Sequence, residues 1–228
     1  MGTSASGIII KCDSTKFSIE EVSRYFFGDG EKTDCSDDTR KRNYITFTKY
    51  KDEFHISNSD FTNLFFEQNP IALQKLNTFF NTPVLAFAFN WFESGGTFGY
   101  AIIQNGIVRR IYRTLSYVKF ESFGEPIKQE VEWLCGDSFI NILKDEEYYP
   151  PDYPLTRKTY INISTNEKAD DYYLPELLLP SVMQEYLGYD VYTSNIELEL
   201  IESGAYRIAP WNNWGNDIYK AKYWDEWE

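Results

Sequence analysis

The chain alternates between short apolar runs and polar punctuation. Ile8 to Cys12 is apolar, bounded by polar residues, and predicts a buried strand. Ser18-Ile19-Glu20-Glu21 has the form of a capping box, and Phe17, Val22, Tyr25 and Phe26 recur at helical spacing until Gly28 and Gly30, which predicts a helix over 19–27. Asp29 to Arg42 is charged and polar with little to bury and reads as a surface loop. Tyr44–Tyr50 and Glu53–Ser57 read as a hairpin turning at Lys51-Asp52. Asp60 is placed to cap a helix carrying Phe61, Leu64 and Phe65, and Asn69-Pro70 opens a second one with Leu73, Leu76 and Phe80 on one face.

Three strand-like runs follow, 83–92, 97–104 and 107–116, joined by Gly95-Gly96 and Asn105-Gly106. The Asn-Gly pair is the strongest local signal, because a type I′ turn needs positive φ at both central residues. These runs predict an antiparallel meander at the centre of the sheet. Glu125 to Leu134 has a helical pattern, whereas Pro150, Pro151 and Pro154 exclude helix from the Tyr-rich stretch around them, so 145–158 reads as a linker or crossing loop. Tyr160–Ile163 predicts a short strand, and 175–187 a helix broken or restarted at Pro180 and ended by Gly188. Ile196 to Leu200 alternates apolar and acidic residues, predicting a half-buried strand that returns over 205–209 after Ser203-Gly204. The expected fold is α+β, an antiparallel sheet with helices packed on it, in a single domain with the option of a C-terminal subdomain from about residue 155.

Composition narrows the function classes. With 41 aromatic residues in 228, the chain has ample material for a core. Its longest nearly unbroken apolar stretch, 83–92, is half the length of a membrane-spanning helix, and its first residues lack the features of a secretory signal, so a cytoplasmic protein is expected. A net charge of −13 argues against nucleic acid or an anionic membrane as partner and favours a basic protein. The acid is localised: residues 131–228 hold 19 acidic and seven basic groups. Four of the six tryptophans, Trp211, Trp214, Trp224 and Trp227, lie near the C-terminus with Asp225 and Glu226 among them. Such a segment offers cation–π faces and carboxylates to Lys and Arg of a partner, or it closes the core with its tryptophans.

Candidate chemistry is sparse. Cys12, Cys35 and Cys135 form no pair at metal or disulfide spacing. Cys12 and Cys135 adjoin apolar runs and should be buried, leaving Cys35, in an acidic loop, as the accessible thiol. The one histidine, His55, shares a strand face with Glu53, the starting point for a carboxylate- or metal-dependent hydrolase; a solvated or hydrogen-bonded strand histidine is the ordinary alternative. Arg109, Arg110 and Arg113 form the one basic cluster in mid-chain. It can serve as an anion site or pair with the acidic C-terminal part. No residue set assembles a catalytic or metal site, and no cofactor is implied.

Gly95-Gly96-Thr97-Phe98-Gly99-Tyr100, Asn105-Gly106 with Arg109-Arg110, and Gly124-Glu125-Pro126-Ile127 with Glu130 together resemble a pattern in small uncharacterised bacterial proteins of the toxin-neutralising immunity type, over roughly residues 83–130. The resemblance implies a non-enzymatic binding role, a basic toxin domain being the kind of partner, and carries over no catalytic residues.

Overall fold

The computed structural model describes residues 4–33, 44–80, 85–92, 97–115, 119–142, 156–190 and 198–208. Their architecture is α+β, with a large antiparallel sheet. The strands are β1 (Ser4–Lys11), β2 (Glu31–Thr33), β3 (Tyr44–Tyr50), β4 (Glu53–Ser57), β5 (Leu85–Phe92), β6 (Thr97–Gln104), β7 (Ile107–Leu115), β8 (Lys119–Phe123), β9 (Ser138–Ile142), β10 (Thr156–Ile161), β11 (Lys168–Asp170) and β12 (Leu200–Arg207). The helices are α1 (Ile19–Phe27), α2 (Ser59–Phe66), α3 (Pro70–Phe80), α4 (Lys128–Leu134) and α5 (Leu174–Leu187). Among the described residues nine strands form one sheet in the order β2-β12-β3-β4-β1-β5-β6-β7-β8, and three form a second, β11-β10-β9. The expected meander is present as β5, β6 and β7 side by side, with β8 added, but it lies toward one end of the sheet and not at its centre, which β1 occupies because the N-terminal strand inserts between β4 and β5.

The fold divides into two compact units. One contains the described residues of Ser6–Ala88, Ile103–Ile107 and Leu198–Glu228. Here α1 starts at the capping box the sequence predicts, with Ser18 Oγ accepting from the Glu21 N–H and Glu21 accepting from the Ser18 N–H. Alternation along β3 sends Ile45 and Phe47 inward, where they meet α1. Phe26, Phe61, Phe65, Phe54 and Phe80 complete a core of edge-on and tilted rings; Phe26 and Phe61 lie 5.8 Å apart, Phe61 and Phe65 5.1 Å. Asn105 and Gly106 have φ of 55° and 67°, the two positive values a type I′ turn demands.

The other unit contains the described residues of Met1–Ala5, Phe89–Ile102 and Val108–Glu197. Its second sheet pairs β10 antiparallel with β9 and β11, while α4 packs against α5 and β10. Two backbone bonds tie this region together: the Ile163 N–H, just past β10, donates to the Glu132 carbonyl of α4 (2.9 Å), and the Ile161 N–H of β10 donates to the Asp137 carbonyl just before β9 (2.9 Å).

Several expectations need correction. Ser203-Gly204 is not a turn: β12 runs straight through it, paired with β3 on one side and β2 on the other. Partners distant in sequence override the local turn signal. The Asp29–Arg42 segment contains β2, recruited by β12. The cap of α2 is Asn58, not Asp60: its Oδ1 accepts from the Phe61 N–H at 2.8 Å. Pro180 lies inside an unbroken α5, which begins at Leu174 with Pro175 in its first turn. Residues 156–158, read as linker, open β10. The Gly95-Gly96 turn, Tyr148–Pro154 and Ile196-Glu197 lie outside the described residues.

Candidate functional site

Arg109, Arg110 and Arg113 all project from β7, but only Arg109 is exposed. Arg110 is buried and held on every side. Its Nε donates to both Glu130 oxygens at 2.9 and 2.8 Å, Nη2 adds a third bond to Glu130, and Nη1 donates to Ser122 Oγ (2.9 Å) and to the Phe123 (2.8 Å) and Gly124 (2.9 Å) carbonyls. The guanidinium also lies 5.2 Å from the Tyr112 ring centroid. Glu130 receives in addition the Tyr100 hydroxyl at 2.5 Å. Burial and the adjacent Glu130 charge push the Tyr100 phenol well above its usual pKa, so it stays a neutral donor. Arg113 pairs with Glu121 through Nε (3.0 Å) and Nη2 (2.9 Å). Pairing is therefore what Arg110 and Arg113 do, but their partners Glu130 and Glu121 precede the acidic C-terminal part expected to supply them. Gly124, Arg110, Tyr100 and Glu130, which carry much of the resemblance pattern, build one buried network that fixes the start of α4 on β7 and β8.

Beside this anchored helix lies an open groove of about 700 Å³. Trp133, Leu177 and Leu178 supply its apolar lining, and Glu132, Glu167, Lys128 and Lys168 its charges. Trp133 and Leu178 are buried, whereas Leu177 is 55% exposed. Glu167 is positioned by the Thr165 hydroxyl, which donates to it at 3.0 Å. Lys168 reaches 5.5 Å from the Phe139 ring centroid. The lining thus sets apolar surface beside two carboxylates and two ammonium groups, the mixture a protein-binding surface uses. Sequence reading missed these residues because they come from three separated segments; the signal available was Leu177, an apolar residue at the margin of the buried face of α5.

The histidine site is partly as expected. Glu53 and His55 do share a face of β4: His55 Nε2 lies 2.8 Å from Glu53 Oε2, and Tyr50 sits edge-on against the imidazole, centroids 4.8 Å apart. Lys11, opposite Glu53 on β1, bonds the other carboxylate oxygen. A buried carboxylate thus bridges an ammonium and an imidazole, a neutralised structural cluster. Among the described residues no three His, Cys, Asp or Glu side chains come close enough to hold a metal ion.

Of the thiols, Cys12 is half-buried and its pKa is pushed up to about 12 by burial, with the charges of Asp13 and Glu53 adding to the effect. Cys135 is exposed, against expectation, because it follows the last turn of α4 and it is Trp133 that turns inward. Cys35 and the tail residues Trp211, Trp214, Trp224, Asp225, Glu226 and Trp227 lie outside the described residues. No helix among the described residues is long and apolar enough to cross a membrane. Comparison with known protein families, characterised proteins and solved structures gives no match.

Proposed function

We propose that this protein is a non-enzymatic binding protein of the immunity type that acts in the cytoplasm by holding a basic protein partner, a toxin domain being the kind of partner meant. The observation that carries the reading is the groove beside α4, lined by exposed Leu177 over buried Trp133 and Leu178, with Glu132 and Glu167 among its charged groups beside Lys128 and Lys168. Binding sites of this kind gain affinity from a desolvated aromatic or aliphatic anchor and gain association rate from surrounding charge. The charge comes from the sequence: residues 131–228 carry nearly all of the chain's net −13. The C-terminal residues Trp211, Trp214, Trp224, Asp225, Glu226 and Trp227 extend the same chemistry and form the second part of the proposal.

The experiment is a pull-down with the full chain from its source organism, followed by a binding measurement on the strongest basic protein recovered, across a salt series. Association should slow as salt rises, since the screening length falls from about 10 Å at 0.1 M to about 3 Å at 1 M. Leu177→Glu should accelerate dissociation, and Glu132→Lys with Glu167→Lys should slow association. Trp224→Ala with Trp227→Ala tests the tail separately. If neither the groove nor the tail variants alter binding, or no basic protein binds, the assignment fails.

A further inference from the structure

Among the described residues the two sheets have four outer strands, β2 and β8 in the larger and β11 and β9 in the smaller. Open strand edges invite pairing with other chains and are ordinarily made short or charged. Three of the four follow that rule: β2 is Glu31-Lys32-Thr33, β11 is Lys168-Ala169-Asp170, and β8 carries Lys119 and Glu121. The exception is β9, Ser138-Phe139-Ile140-Asn141-Ile142, which has no charge and exposes Phe139, Ile140 and Ile142 by 40, 62 and 73%. Among the described residues no strand pairs with its outer side.

The direction of its backbone groups follows from one bond. The Asp137 carbonyl accepts from the Ile161 N–H, so it points at the β10 side. Peptide groups alternate along a strand, and residues Ser138, Ile140 and Ile142 therefore aim both N–H and C=O at the open side. An antiparallel neighbour must present outward-pointing residues opposite these three. A second β9 does so when Ile140 faces Ile140 of the other copy, which also sets Ser138 opposite Ile142 and Phe139 beside Asn141. No like charges meet in this register. By contrast, self-pairing of β8 or β2 about its middle residue would oppose Glu121 to itself or Lys32 to itself.

The flanking strand does not oppose the same arrangement. Lys158 on β10 is the cross-strand neighbour of Ile140, so the acidic chain presents an ammonium group beside this edge. Across a shared axis the two Lys158 would be three strand spacings apart, about 14 Å. That exceeds the screening length of about 8 Å at physiological salt, so their repulsion is weak.

We propose that β9 is a self-pairing edge, through which two copies of the chain associate about a twofold axis at Ile140 into a continuous six-stranded sheet. This surface is distinct from the groove and does not depend on its role. The test is sedimentation equilibrium of the full chain over the micromolar range. The average mass should rise with concentration toward twice that of the monomer. Ile140→Lys, which sets two ammonium groups face to face on the axis, should hold the chain monomeric throughout. Ile140→Pro should do the same by deleting the outward N–H while sparing the ladder to β10. Phe123→Lys, the same charge change on the exposed end of β8, should leave the dimer intact; thermal melts establish that each variant is folded. A wild-type chain that is monomeric at every concentration overturns the proposal. So does a dimer that survives both Ile140 substitutions, or one that Phe123→Lys abolishes equally.

Discussion

Arg110 and Glu130 form a multiply bonded ion pair with 1% and 0% of their side chains exposed, tying the middle of β7 to the first turn of α4. The carboxylate also sits where the helix N-terminus favours negative charge. Removing one partner leaves the other charged and buried, which costs about 3–5 kcal/mol. Glu130→Gln should therefore destabilise the protein severely, while Tyr100→Phe, which deletes one hydrogen bond to an ionised group, should cost about 1.5–3 kcal/mol. The double change Arg110→Met with Glu130→Leu should be milder than Glu130→Gln alone. Urea denaturation of the three variants gives the ranking, and equal losses in the Glu130→Gln and double variants would count against an ion pair.

Two glycines are required for different physical reasons. Gly106 has φ of +67°, and a Cβ there would also come 2.7 Å from the Cβ of Asn77 on α3. Gly106→Val should cost roughly 1–3 kcal/mol, whereas Asn105→Gly, which preserves the turn, should be nearly neutral. Gly124 has φ of +81° and packs so tightly on the Arg109 carbonyl that any side chain meets backbone, which cannot swing away. Gly124→Ala should therefore lower the urea midpoint more than Gly106→Ala, although the side chain added is the same.

Asn58 is fully buried and serves two elements at once. Its Oδ1 caps α2 through the Phe61 N–H, and its Nδ2 donates to the Tyr44 carbonyl at the start of β3, 2.9 Å away. Asn58→Ala loses both bonds and should cost about 2 kcal/mol or more. Asn58→Asp retains the cap acceptor but replaces the donor with a buried charge beside a carbonyl. It should also destabilise, and the loss should shrink as acid protonates the new carboxyl. A melting series from neutral to acid pH distinguishes the two functions of this residue.

What could be read from the sequence was set by how local its physics is. The capping box of α1, the β3–β4 hairpin and the Asn105-Gly106 turn depend on neighbours a few residues apart, and each was recognisable at its correct position. The passage of β12 through Ser203-Gly204 depends instead on β3 and β2, strands more than 150 residues earlier in the chain. The choice between Asp60 and Asn58 as cap turned on the Tyr44 carbonyl, 14 residues away, whose need for a donor favours an amide. Basic side chains on β7 were visible, yet their partners were not, since the fold brings Glu121 and Glu130 alongside through a hairpin and a helix entry. The groove is less legible still. Trp133, Glu167 and Leu177 carry no motif, and only packing of α4 beside α5 and β10, whose return toward β11 carries Glu167, brings them together.

The two described thiols should behave oppositely. Cys135 is exposed at the end of α4, so alkylation of the native protein near neutral pH should label it quickly. Cys12 should resist, because burial and the carboxylates of Asp13 and Glu53 push its pKa from 9.0 to about 12, leaving almost no thiolate to react. The same shift links folding to pH. Between pH 9 and about 12 the unfolded chain has lost the Cys12 proton while the folded chain retains it, so the folded state binds more protons and stability falls as pH rises through this window. Below pH 9 both states hold the proton and the contribution is complete. Cys12→Ala should lessen the alkaline loss without removing it, since Tyr100 and Tyr112 are also raised by burial and impose the same sign at higher pH. Mass spectrometry after timed native labelling checks the order of reaction, and urea midpoints from pH 8 to 11 for wild type and Cys12→Ala check the linkage. Labelling of Cys12 as fast as Cys135, or an alkaline slope unchanged in Cys12→Ala, would contradict the burial of this thiol beside Glu53.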